Sequence, residues 1–426
     1  MRNRGLTPIL IRLLIALALL AAGAAAAQPS EEGEVTGEEP PEEGGEEAGE
    51  VPMVKPAPVL PPRPLSLRLG SSLAWDSNIF RSPQARSETV SSGYAGLQVD
   101  KPYAQQRFRL DLTGTAYRYA KFAHLDFEAL NYLGAWDWQV TPRFGGALTA
   151  TRAQALVDYS EFRNPGQRNV RTTENFSAGA DARLFGGWHL TGGLTQERNR
   201  YSVPFPQEGS YRASGGEAGV KWVARSTNRL AFNLRSLEGR YVDRPLDPVL
   251  LLDDGFRRRE AEGLVFWRMT GKSTLEGRLA HIDYRSNHFA ERDFAGIAAR
   301  LRYLWEAMAK LSLDLRFQRE VSPWAEVSAS QRVEHRITLG PIWQAVPRLT
   351  LRLDASRGES EFRDPLPGFA GTPRRDIERS LQFHAEWRAL RNVTLNGAAL
   401  RYRQSSSDPA GNFQGSQVSA GAALLF

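Results

Sequence analysis

From Leu65 to the end of the chain, apolar and polar positions alternate in segments of about 10 to 15 residues separated by turn residues, the pattern of strands with one face in each of two environments. Eighteen such segments can be laid out: 65–77, 89–100, 105–119, 126–140, 143–157, 172–185, 188–201, 211–224, 229–242, 258–270, 273–285, 292–305, 310–320, 329–344, 348–360, 376–389, 392–405 and 414–426. In the third, Phe108, Leu110 and Leu112 alternate with Arg107, Arg109, Asp111 and Thr113. In the thirteenth, Leu311, Leu313, Leu315 and Phe317 alternate with Ser312, Asp314, Arg316 and Gln318, and Leu349, Leu351 and Leu353 repeat this against Thr350, Arg352 and Asp354 in the fifteenth. The last segment puts Val418, Ala420, Ala422, Leu424 and Phe426 on one face and the small residues Ser419, Gly421 and Ala423 on the other.

The connections carry a second regularity. Tight links (Val140-Thr141-Pro142-Arg143, Phe185-Gly186-Gly187-Trp188, Thr270-Gly271-Lys272-Ser273, Val346-Pro347-Arg348, Leu390-Arg391-Asn392) join an even segment to the next odd one, whereas long polar links (Glu161 to Asn169, Asp243 to Arg257, Phe362 to Arg374, Ser406 to Asn412) follow odd segments. This alternation predicts an all-β fold, a transmembrane up-and-down antiparallel barrel of about 18 strands over residues 65–426, with short periplasmic turns and long outer loops. Charged side chains on one face of each strand require water inside the ring, so the apolar faces meet outer-membrane lipid. An even strand count leaves both chain ends on the periplasmic side.

Composition narrows this further. No run after residue 30 approaches the roughly 20 apolar residues of a spanning helix. Cysteine is absent, which excludes disulfides and thiolate chemistry. Of ten tryptophans, Trp136, Trp138, Trp188, Trp222, Trp267, Trp305, Trp343 and Trp387 fall near the short-turn ends and predict a periplasmic aromatic girdle. At the amino terminus, Arg2, Arg4 and Arg12, the apolar run Leu13 to Leu20 and the small residues of GAAAAQ predict a signal peptide over 1–27. Residues 28–64 hold ten glutamates with no basic residue between Glu31 and Glu50, followed by a proline-rich stretch, and predict a disordered periplasmic tether through which an export partner could be engaged. Beyond that tether, 49 basic side chains face 38 acidic ones, a net +11.

Eighteen strands leave an aqueous lumen. The period of two sends Arg107, Arg109, Arg183, Lys221, Arg235, Arg278, Arg300, Arg302, Arg316, Arg336, Arg352 and Arg388 inward, with Asp111, Glu197, Glu217, Glu276, Asp314, Glu334, Asp354, Glu378 and Glu386. Most of these are expected to form cross-strand ion pairs that stiffen the wall. The surplus of arginine, twelve basic against nine acidic groups, predicts a mildly positive pore whose arginines line the path of an anionic solute. Enzyme chemistry is not expected: the six histidines are scattered, no HExxH or G-x-S-x-G occurs, and no cofactor or metal is implied. Asp253-Asp254-Gly255 reads as an acidic turn rather than a calcium loop. Arginines alternating with lipid-type residues also argue against nucleic acid as a partner. The loop LDPVLLLDD, Leu246 to Asp254, is oddly apolar for a solvated loop, and an inward fold of it would favour a gated or constricted channel.

Two stretches carry resemblances. The closing strand with its terminal Phe426 resembles the carboxy-terminal signal of bacterial outer-membrane barrels, which implies the barrel-assembly machinery as a partner. Trp75-Asp76-Ser77-Asn78-Ile79-Phe80-Arg81, together with Tyr94-Ala-Gly-Leu-Gln-Val, Phe108-Arg-Leu-Asp, Tyr117-Arg-Tyr and Ala-Gly-Ala-Ala-Leu-Leu-Phe at the end, resembles the EpsL-like outer-membrane barrels of exopolysaccharide operons associated with exosortase systems. That resemblance implies a part in the biosynthesis or export of an extracellular polysaccharide, an acidic one if the arginines steer it, and brings no catalytic residues. The acidic leader departs from the family pattern. A general or solute-selective porin and a structural or adhesive surface barrel stay open as alternatives.

Overall fold

The computed structural model describes residues 64–426, so the signal peptide and, apart from Pro64, the acidic tether lie outside the described residues. Eighteen strands follow in chain order: β1 Leu65–Asp76, β2 Glu88–Tyr103, β3 Gln106–Tyr119, β4 Phe127–Thr141, β5 Phe144–Leu156, β6 Val170–Arg183, β7 Trp188–Tyr201, β8 Tyr211–Val223, β9 Arg229–Tyr241, β10 Gly255–Thr270, β11 Ser273–Ser286, β12 Phe294–Met308, β13 Leu311–Glu326, β14 Ala329–Val346, β15 Leu349–Arg363, β16 Arg375–Leu390, β17 Val393–Ser406 and β18 Phe413–Leu425. Each pairs antiparallel with its neighbours in sequence, and β18 pairs with β1 to close the ring, so no strand edge is left open to lipid.

The outward face is apolar in register around the ring. Leu190 stands opposite Val220, which faces Phe232; Leu279 stands opposite Ala299, and Trp75 opposite Val418. These side chains stay exposed, Leu194 at 68% and Leu279 at 60%, because their intended neighbour is lipid rather than a protein core. All eight tryptophans of the predicted girdle lie on this face near the short turns. Trp188 stands directly opposite Trp222, which stacks on Trp267 at 6.5 Å, and Phe108 stacks on Trp136 at 5.9 Å.

One connection corrects the sequence reading. The thirteenth segment was expected to end at residue 320 before a long loop, but β13 runs to Glu326 and turns through Val327 and Ser328 alone, with Glu326 paired to Ala329. The extension carries Pro323 inside the strand. It sits where β12 no longer accompanies β13, whose pairing with β12 stops at Arg319, so the missing N–H faces an empty edge. The resulting β13–β14 hairpin leans over the outer mouth, where Trp324 is 2% exposed.

Candidate functional site: the inner wall and the outer mouth

The eleven arginines predicted to line the lumen all stand on the inner face, opposite the lipid-facing set, and nearly all are tied to carboxylates. Arg107 meets Asp100 at 2.7 Å and Arg109 meets Asp137 at 2.9 Å. On β8 to β11, Arg235 holds Glu217 at 2.8 Å, and Arg278 holds Glu260 and Glu262 at 2.9 and 2.7 Å. Arg258 adds bonds to Glu197 and Glu260 at 3.0 and 2.9 Å. On β12 to β16, Arg300 meets Glu320 at 2.5 Å, Arg302 meets Asp314 at 3.1 Å, Arg316 meets Asp354 at 2.9 Å, and Arg336 bridges Glu334 and Glu378. Arg352 joins Asp314 to Asp354 and is buried with them. Arg388 approaches Glu386 at 3.7 Å near the periplasmic end, where Arg183 is exposed.

The expected basic surplus of the lumen is not there. Asp76, Glu88, Asp100, Asp137, Asp181, Glu260, Glu262, Glu320 and Asp376 also point inward, whereas the inward basic groups missed from the sequence are Arg68, Arg258, Arg171 and Arg332 toward the outer mouth and, near the periplasmic end, Arg229 and Arg268. The inner wall is thus close to neutral. Its two arcs nevertheless differ. On β8 to β11 the arginines are sealed into the wall, Arg235 at 4% side-chain exposure, while Arg300, Arg302, Arg316 and Arg336 show about a third of theirs to the lumen, 29–33%.

The outer mouth is bridged. A helical turn, α1 (Tyr159–Phe162), lies in the loop after β5, and its capping residue Asp158 accepts the Ser160 N–H at 2.7 Å. Glu161 on this turn forms an ion pair with Arg332 of β14. In a ring of eighteen, β5 and β14 are nine places apart, so this contact spans the full diameter. Burial would push the Glu161 carboxyl up, but the Arg332 charge outweighs it and holds Glu161 below the usual range. Burial, with the Glu161 charge close by, raises Glu208 of the loop after β7. Alongside, an aromatic row runs from Phe80 in the first loop through Tyr159, Phe162, Phe205 and Trp324 to Phe362 on β15, with ring centroids 5.0–6.3 Å apart. Ala325 N–H donates to Gln207 O at 2.8 Å, and Arg163 meets Asp408 at 2.5 Å. Between these ties lies a polar cleft of about 270 Å³ lined by Glu161, Arg163, Glu326, Arg374 and Asp408 among others.

The loop Leu246–Asp254, whose inward fold would have constricted the channel, does not take this role. It closes on itself through paired Asp247 and Leu252, leaves Val249 87% exposed, and is tied to the adjacent rim where Arg292 donates to Leu250 O at 2.8 Å. Its apolar run is spent on the rim, and α1 with the β13–β14 hairpin does the closing. Asp253 lies near Asp254 and His288, a group that could hold a metal ion. Its oxygens already accept the N–H groups of Gly255, His288 and Phe289 and face His288 Nδ1 at 3.0 Å, which makes it a tie between loops.

The WDSNIFR stretch also has a structural task. Asp76, 2% exposed, accepts from Asn78 N–H, Arg81 and the Tyr402 hydroxyl at 2.7–2.8 Å, and Asn78 donates to Ser82 O and Gln414 O. Phe80 is buried among Tyr119, Leu125, Phe127 and Tyr159. These residues staple the first loop across β18 and β17 at the seam where the ring closes. Phe426 lies at the other end of that seam, its N–H bonded to Leu67 O at 2.8 Å, its side chain 42% exposed.

A closed ring of this size with a lipid-type exterior defines a transmembrane β-barrel. No protein-family model and no curated protein matches the chain. Among solved structures it is similar to OccK2 (OpdF) of Pseudomonas aeruginosa, 13% identical over 85% of this chain and 97% of that one with a TM-score of 0.50. It is also similar to OpdK of the same organism (14%, 85% and 99%, 0.49) and to OccAB3 of Acinetobacter baumannii (10%, 85% and 98%, 0.47). The shared feature is the fold of outer-membrane porins, and the protein is located in the outer membrane of a Gram-negative cell.

Proposed function

We propose that this protein is a solute-selective porin that admits small hydrophilic molecules, with Arg300, Arg302, Arg316 and Arg336 as the part of the wall that meets them. The observation that carries this reading is the bridge from Glu161 to Arg332 across the mouth, which leaves a cleft rather than a bore. The open arc of β12 to β14 offers planar guanidinium donors, which favours a small solute bearing a carboxylate. Arg235 and Arg352, which are buried, and Arg278, half-buried between Glu260 and Glu262, serve instead to hold the wall. Export of a polysaccharide, the role implied by the resemblance to EpsL-like proteins, requires the bridge and the aromatic row to swing aside for each chain that passes.

Planar-bilayer recording separates these readings. A porin gives small single-channel conductance that the pair Glu161→Gln with Arg332→Gln increases, and a sugar acid blocks the current more strongly than the neutral sugar. A folded barrel that never conducts, with or without the bridge, rejects the porin reading in favour of a closed surface barrel. Loss of matrix polysaccharide on gene deletion, with small-solute uptake unchanged, rejects it in favour of export.

A further inference from the structure

The net positive charge that the lumen lacks is found on the outside of the barrel, above the apolar band. On the lipid-facing side of three consecutive strands, Arg357 of β15 stands directly opposite Arg379 of β16, which stands directly opposite Arg403 of β17. Arg401 lies two residues below Arg403 on the same face. All four are exposed, and none of their side chains has a hydrogen bond or ion pair among the described residues. The nearest acids on this face are already engaged: Glu359 pairs with Arg375 and Glu361 with Arg363. Side chains directly opposite in an antiparallel pair lie about 5 Å apart at Cβ, and like charges there repel. Three in a row is an arrangement that asks for an anion from outside the chain.

Height says which anion. Trp387 of the lower girdle is opposite Leu349, and Arg357 is eight residues further up β15. With a rise of about 3.3 Å per residue and a strand tilt of about 40°, that places the arginines roughly 20 Å above the tryptophans, at the upper edge of an apolar band about 25 Å tall. That is where headgroup phosphates of the outer leaflet lie. Guanidinium forks bind phosphate oxygens in pairs, and basic clusters at a membrane edge recruit anionic lipid. We propose that Arg357, Arg379, Arg403 and Arg401 form a site for a phosphorylated lipid headgroup of the outer leaflet. The opposite side of the ring repeats the device, with Arg198, Arg212 and Arg240 aligned across β7, β8 and β9. There Glu174 already holds Arg198 at 3.1 Å.

The test uses the full barrel in phosphatidylcholine nanodiscs containing either bis-phosphorylated lipid A or lipid A stripped of both phosphates, with bound lipid counted by native mass spectrometry. The wild type retains the phosphorylated form, and the variant Arg357→Gln/Arg379→Gln/Arg403→Gln retains it on the order of tenfold more weakly. Arg363→Gln, on the same face but already satisfied by Glu361, leaves retention unchanged. As a second readout for folded protein, Arg379→Gln alone raises the melting temperature in neutral detergent and lowers the increase that phosphorylated lipid A produces. Equal retention of both lipid forms, or equal retention by wild type and triple variant, overturns the proposal.

Discussion

The inner wall and the outer rim of this barrel are built from the same residue and use it in opposite ways. Inside, each arginine of the central belt stands beside carboxylates: Arg278 between Glu260 and Glu262, Arg352 between Asp314 and Asp354. Outside, Arg357, Arg379 and Arg403 stand beside one another. The inner arrangement is self-sufficient, since guanidiniums and carboxylates with little access to water must satisfy each other. The outer one is incomplete without its surroundings. A net charge of +11 over residues 65–426 is therefore a statement about the membrane partner far more than about the channel.

The comparison can be broken most sharply at Asp314, which is 0% exposed and receives Arg302 and Arg352. Replacing it with alanine takes the shared carboxylate from Arg302, Arg316 and the buried Arg352, which keeps Asp354 alone, and a loss of about 3–5 kcal/mol is expected in urea unfolding of the detergent-solubilised barrel. A loss below 1 kcal/mol would mean that water, not Asp314, satisfies these arginines. Next in size is Leu279→Arg, which places on the outward face at mid-height of β11 the residue that the rim tolerates at its upper edge. At that depth arginine costs about 2–4 kcal/mol. A neutral result would show that the apolar band does not extend across β11. Smaller and of opposite sign is Arg379→Gln, where relief of like-charge repulsion stabilises the barrel in neutral detergent by under about 1 kcal/mol.

Much of this was legible in the sequence because a strand's period of two is rigid. A face that must meet lipid leaves no freedom in where leucine and tryptophan fall, so the strands, the girdle and the inward direction of Arg107 or Arg316 could all be read. What escaped depends on partners that periodicity does not name. Glu260 and Glu262 were hidden by the run Arg257-Arg258-Arg259-Glu260, where charge on consecutive positions erases the alternation. The bridge was invisible for a different reason: Glu161 and Arg332 are 171 residues apart, and neither Phe162 nor Phe205 belongs to a periodic segment. The long hairpin escaped because whether β13 can run on through Pro323 depends on where β12 ends. The rim site was present as four arginines scattered over three segments. Only strand register put them side by side.

A third kind of charged contact, outside the wall and above the rim, tests whether self-sufficiency is confined to the lumen. His288, in the loop after β11, is exposed, and its hydrogen bond to Asp253 holds the imidazolium above the usual histidine range. Burial would push Asp253 up, but His288 and the backbone N–H groups of His288, Gly255 and Phe289 outweigh it and hold the carboxyl low. For a base raised on folding, the stabilisation is complete below its unfolded value, near pH 6.5, and fades as the pH rises through the folded value. For the acid it is complete above about pH 3.9 and fades as the pH falls through its lowered value. The tie between the two loops is therefore tightest in mildly acidic solution and slackens toward alkaline pH. Amide exchange at His288 and Phe289 should accelerate on that limb beyond the intrinsic rate, and His288→Gln should remove the extra acceleration. A His288 ring that titrates at or below the free-histidine value would show that this tie, like the arginines of the rim, is left to its surroundings.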